Sequence, residues 1–182
     1  MRQPPGAALN LLFPLDQFLV RAERPLPVVS AVDPADVPEP YHRLLVGHHD
    51  MTPTLESFHG ERLNLRVLER QQEGSAYRRL VLLTTASSGR PVEFGAIVID
   101  LECFGPAARA LVLAGVRPLG SILASEGIPH QSRPRAFIRV TSDAFINDAL
   151  GLVGPHELYG RRNELTLADN RVLADIVEIL PP

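Results

Sequence analysis

Three stretches with alternating apolar positions, 62–69, 77–83 and 91–101, follow one another with only short polar turns between them, and this succession restricts the fold most. In Arg62–Glu69, Leu63, Leu65 and Val67 share one face, the period-2 pattern of a strand. Gln71–Ser75 and Ser87-Ser88-Gly89 are of hairpin length, so the three runs form an antiparallel meander. Downstream, Pro106–Ala114 and Leu119–Ser125 predict two helices broken by Gly115 and Pro118. Pro134–Thr141 predicts a strand, Ala144–Leu150 a short helix, and Leu158–Leu167 with Val172–Leu180 a closing hairpin around Asp169-Asn170. Upstream lie a helix at Pro14–Arg21, with Pro14 in its first turn, and a proline-rich connector from Pro25 to Pro40 that wraps the surface. Tyr41–Val46 continues as a short helix, His48–Asp50 turns the chain, and Thr52-Pro53 caps and opens a helix ending near Phe58. Six strands, with helices inserted between two β groups, predict an α+β fold with an antiparallel sheet. No G-x-G-x-x-G or G-x-S-x-G motif points elsewhere.

Two of these strands carry charges where the pattern demands apolar side chains. Arg79 shares a face with Tyr77, Val81 and Leu83, and Glu178 shares one with Ala174, Ile176 and Leu180. Burying an unpaired guanidinium or carboxylate costs several kcal/mol, roughly, so each needs a partner, a ligand or a route to solvent. An arginine and a carboxylate on the apolar face of one sheet suggest a closed pocket for a small polar-ended anion. An internal Arg79–Glu178 salt bridge satisfies the same demand. The two strands alone leave both open.

Composition excludes several kinds of chemistry. All 18 cationic residues are arginine, which removes Schiff-base catalysis, a pyridoxal phosphate anchor and a Walker-type phosphate loop. Cys103 is the only cysteine, so an intrachain disulfide and zinc–thiolate sites are excluded. A net charge of −3 leaves no electrostatic footprint for nucleic acid, and none is expected as a partner. No apolar run reaches the roughly 18–20 residues that cross a bilayer. Met1-Arg2-Gln3-Pro4-Pro5 does not open a secretion signal, and the expected location is cytoplasmic. The 182 residues fit one domain, with 1–43 as N-terminal helix and wrap and 44–182 as core. His48-His49-Asp50 makes no metal cluster, because neighbours in extended chain point opposite ways. His59 and His130 are expected in surface turns, and Gly120 and Gly160 are expected to serve backbone geometry.

Five fragments occur in a suggestive order: His49-Asp50-Met51-Thr52, Tyr77–Leu83, Arg117-Pro118-Leu119-Gly120, Leu158-Tyr159-Gly160-Arg161-Arg162 and Asp175–Pro181. Together they resemble the chorismate pyruvate-lyase family, including its divergent lyase-like branch, from about Leu44 to Pro181. The resemblance implies a six-stranded antiparallel sheet with helices covering an internal pocket. It implies an enzyme that eliminates pyruvate from chorismate to leave 4-hydroxybenzoate, with no metal or organic cofactor. Carried over by position, Arg79 would hold the ring carboxylate, and the backbone N–H groups of Met51 and Leu119 would touch it too. Glu178 would face the ring hydroxyl, as acid/base or as an orienting group; Arg79 and Glu178 are thus the expected catalytic residues, and Arg161 also matches. The chemistry fits: arginine presents a planar fork to a carboxylate, and a helix-opening residue such as Leu119 has a free N–H.

A second expectation comes from the same architecture. It resembles the effector-sensing domain of certain bacterial transcription regulators, which binds small metabolites without catalysis. Such a regulator is expected to carry a winged helix of roughly 60–80 residues in front, and the first 43 residues here offer no room for one, which favours the enzyme. The oligomeric state is not legible.

Overall fold

The computed structural model describes residues 10–182; the Met1–Pro5 segment weighed against a secretion signal lies outside them. One antiparallel sheet runs through it. Its strands are β1 (Val29–Val32), β2 (Leu63–Glu73), β3 (Ala76–Thr85), β4 (Pro91–Asp100), β5 (Gln131–Thr141), β6 (Glu157–Thr166) and β7 (Val172–Leu180), in the order β1-β5-β6-β7-β4-β3-β2. The helices are α1 (Leu15–Arg21), α2 (Tyr41–Leu45), α3 (Met51–His59), α4 (Pro106–Ala114), α5 (Leu119–Ser125) and α6 (Ala144–Leu150). The α+β class and the antiparallel sheet are as expected from the sequence.

The sheet has seven strands, one more than expected. The extra strand, β1, lies inside the proline-rich connector and pairs with β5 from Val29↔Val140 to Val32↔Phe137. Four residues between Pro27 and Pro34 are too few to show a period. Pairing with the free edge of β5 makes them a strand, a tertiary effect that local pattern does not carry.

Strand alternation gives the sheet two buried faces. On one, Leu80, Leu82, Phe94, Ala96, Val177 and Ile179 pack with Leu15, Phe18 and Leu19 of α1 and with Ile146 and Leu150 of α6. On the other, Tyr77, Ile97, Ile99, Leu165 and Ala174 pack under Val112 of α4 and Leu119, Ile122 and Leu123 of α5. Beside them, Leu83 and Leu180 pack with Leu44 and Leu45 of α2 and Met51 and Leu55 of α3. The central strands β7 and β4 therefore read as apolar runs broken by single charges, as expected of strands covered on two sides. Among the described residues no helix is long and apolar enough to cross a membrane.

Candidate functional site

The face covered by α3 and α5 carries Arg79, Arg161 and Glu178. Arg79 on β3 stands opposite Ile97 of β4. Glu178 on β7 stands opposite Gly95 of β4 and, on its other side, opposite Arg161 of β6. Strand β4 thus lies between Arg79 and Glu178, and among the described residues the two form no ion pair. Arg79 is 1% exposed, and its Nε and Nη1 are buried without a hydrogen-bond partner. Its Cζ lies 5.8 Å from the centre of the Tyr77 ring, at the outer limit of a cation–π contact, which leaves the N–H groups without an acceptor. Burial lowers its pKa to about 10, so the group remains charged at neutral pH. A buried charge without a partner costs several kcal/mol, roughly, and is seldom retained without a use.

Glu178 has the partner that Arg79 lacks. Its Oε2 accepts a hydrogen bond from Nε of the fully buried Arg161 at 2.5 Å. Arg161 also donates from Nη1 to the Leu45 carbonyl at 3.1 Å and from Nη2 to the His49 carbonyl at 2.9 Å. One arginine thereby fastens β6 and β7 to the segment between α2 and α3. The internal salt bridge weighed from sequence exists, but with Arg161 as the cation. The charge-assisted bond from Arg161 Nε occupies Oε2 of Glu178 and balances its charge within the protein, while the side chain still borders the cavity.

Between sheet and helices lies a cavity with about 60 Å³ open to the centres of water molecules, against the roughly 10–15 Å³ that one water needs. Leu65, Arg79, Val81, Leu83, Glu93 and Ile97 line it from β2 to β4, and Asn163, Leu165, Ile176 and Glu178 from β6 and β7. Asp50, Met51 and Thr52 close it from the start of α3, and Pro118, Leu119 and Gly120 from the start of α5. The four residues expected to bind a ligand, Met51, Arg79, Leu119 and Glu178, therefore border one void. Met51 and Leu119 each open a helix, and first-turn N–H groups have no intrahelical acceptor.

Helix α3 begins two residues earlier than Thr52-Pro53 suggests. Asp50 takes the N-cap position, its carbonyl accepting from the Thr54 N–H at 3.4 Å and the Thr54 hydroxyl at 2.8 Å. Its carboxylate caps nothing; it meets Nε2 of His130 at 2.8 Å. His130 is therefore not the free surface residue expected but a tie between the β5 approach and the cavity wall. Glycine serves the geometry at two positions. A Cβ at Gly95 would collide with the Val177 carbonyl, and one at Gly160 with the Glu178 carbonyl, so the strands carrying Glu178 need both.

Glu93 was missed from sequence. It is 6% exposed, and its Oε2 is buried without a partner. Burial pushes its carboxyl well above the ordinary carboxylate range; the neighbouring Glu178 adds to this and Arg161 opposes it. Its phase was available: Glu93 pairs with Leu83, so it shares the face of Arg79. Among the described residues no cluster of three or more histidine, cysteine or carboxylate side chains could hold a metal ion.

No family model matches the chain, and no curated protein does. Solved structures do. The effector domain of PhnF from Mycobacterium smegmatis superposes with a TM-score of 0.57 at 13% identity, covering 75% of this chain and 90% of that one. PhnF from the same organism gives 0.58 at 13%, over 74% and 64%. A possible transcriptional regulator, YydK from Bacillus subtilis, gives 0.51 at 8%, over 65% and 57%. The chain thus spans under two thirds of the length of these last two. These likenesses overturn the expectation of a chorismate pyruvate-lyase: the neighbours are regulator effector and ligand-binding domains, not enzymes. The expected winged helix does not discriminate between sensor and enzyme, since the effector domain of PhnF by itself is matched over 90% of its length. The chain has the α+β, antiparallel-sheet fold of such effector domains, a chorismate lyase-like fold.

Proposed function

We propose that this chain is a non-catalytic sensing domain that binds a small carboxylate, with the anion seated against Arg79. The observation that carries this is a guanidinium 1% exposed, with two nitrogens unpartnered, beside a void. An incoming carboxylate would complete its hydrogen bonds in a dry setting, where such pairs are strong. The N–H groups of Met51 and Leu119 would add donors to the same anion. Glu178, held by Arg161, would contact the far end of the ligand and set the cavity's shape. No step of bond breaking is needed, and the fold's likeness to the PhnF effector domain supports sensing. A transcriptional output would involve nucleic acid through another unit, so the expected lack of a nucleic-acid partner is narrowed to direct contact with this surface.

The test is calorimetric titration with small monocarboxylates such as benzoate and cyclohexanecarboxylate, using wild-type protein and Arg79→Ala. Saturable binding by the wild type, lost in a variant of unchanged circular dichroism, is the expected result. Binding of equal strength by both proteins contradicts it.

A further inference from the structure

Arg79 accounts for one end of a ligand and leaves the other end undescribed. Glu93 lies four residues from Ile97, the cross-strand partner of Arg79, or roughly 13 Å along the sheet at about 3.3 Å per residue. The two side chains open on the same cavity without meeting each other. Glu93 is not the counter-ion of Arg161, a role that Glu178 fills, and nothing among the described residues satisfies its Oε2. Burial and the neighbouring Glu178 carboxylate both favour the protonated form of Glu93, against the opposing pull of Arg161. A neutral carboxyl has what a carboxylate lacks, an O–H to donate.

We infer that Glu93 is a specificity-determining residue: its carboxyl donates a hydrogen bond to an uncharged oxygen at the end of the ligand remote from Arg79, so the cavity selects small monocarboxylates bearing a second acceptor oxygen. The inference rests on the proposed binding at Arg79 and adds the ligand's second recognition point. Charges agree with it. With Arg161 and Glu178 paired to each other, Arg79 is the cation of the lining without an ionic partner, and the Asp50 carboxylate at the cavity's edge, held by His130, adds no positive charge, so a monoanion is the better match. A dicarboxylate would bring its second charge against Glu178 and Glu93.

Three probes of one ring size separate these possibilities by titration near neutral pH: cyclohexanecarboxylate, 4-oxocyclohexanecarboxylate and trans-1,4-cyclohexanedicarboxylate. The wild type should bind the keto acid roughly tenfold more tightly than the plain acid, the effect of about one net hydrogen bond, and the diacid least well. Glu93→Gln, whose amide also donates, should keep the preference. Glu93→Leu should abolish it, so that the keto acid and the plain acid bind with equal affinity. Arg79-dependent binding of keto and plain acids with equal affinity would overturn this inference alone. So would an equal loss of both ligands in Glu93→Leu, which marks a structural role. Lack of Arg79-dependent binding by all three probes would remove the proposed function as well.

Discussion

On the sheet face packed against α1 and α6, Arg162 reaches Asp175 and the Asn10 carbonyl, and its Cζ lies 5.1 Å from the centre of the Phe13 ring. On the opposite face Arg79 is buried as deeply and reaches neither a carboxylate nor a carbonyl among the described residues. Arg162 leaves only Nε unpartnered, whereas Arg79 leaves Nε and Nη1. Both arginines bear the desolvation cost of a buried cation. One face offsets it inside the protein, and the other keeps a void where the offset would go. A third arginine sharpens the contrast: Arg161 shares the face of Arg79 and is fully paired, to Glu178 and two carbonyls. The cavity face can therefore satisfy a buried guanidinium, and the lack of a partner at Arg79 is specific to that position.

The largest effect is expected where a pair is broken. Glu178→Gln leaves Arg161 without its carboxylate, and loss of one partner from a buried ion pair costs about 3–5 kcal/mol; urea unfolding would read it. Asp175→Asn should cost much less than Glu178→Gln, because burial already opposes the charge on Asp175 and Arg162 keeps its carbonyl. Its pH dependence has a definite sign. Burial outweighs the attraction of Arg162 and lifts Asp175 from 3.8 to about 6. A carboxyl raised in the folded state contributes stability below its unfolded value that is lost as pH rises through the folded one. Wild-type stability should therefore gain less, or fall, between about pH 4 and 6, and Asp175→Asn should remove that component of the slope.

How far these contrasts could be read from the chain depends on which residues set them. Strands β2, β3, β4 and β7 are legible because apolar pattern and short turns are local signals, and Arg79 on β3 and Glu178 on β7 stand out as breaks in them. The partner of Glu178 was also within reach. Arg161 and Glu178 each lie eight residues from the Asp169-Asn170 turn, so hairpin register sets them opposite, as β6 and β7 show. Glu93 was harder: two residues after Pro91 at a strand's start, it passes for an ordinary boundary charge until β4 is registered against β3. Strand β1 and the His130–Asp50 contact depend on residues 80 or more positions apart, for which local pattern has no signal.

Smaller effects should follow at the cavity's edge. Anion affinity should fall as pH rises and Glu93 ionises, since the new charge joins Glu178 and Asp50 against a field supplied by Arg79 and Arg161; Glu93→Gln should flatten that decline in titrations across the range. His130→Ala, at a partly exposed pair, should change stability by under about 1 kcal/mol, while any weakening of ligand binding would report the loosened start of α3.

The most direct measurement is the unfolding free energy of ligand-free Arg79→Met against wild type. Replacing an uncompensated buried cation by an apolar side chain of similar volume should stabilise the unliganded fold by about 1–4 kcal/mol, while abolishing any stabilisation by added monocarboxylate. If Arg79→Met instead destabilises the unliganded protein as much as Glu178→Gln does, the guanidinium is already satisfied within the fold and the cavity has no unmet charge to offer a ligand.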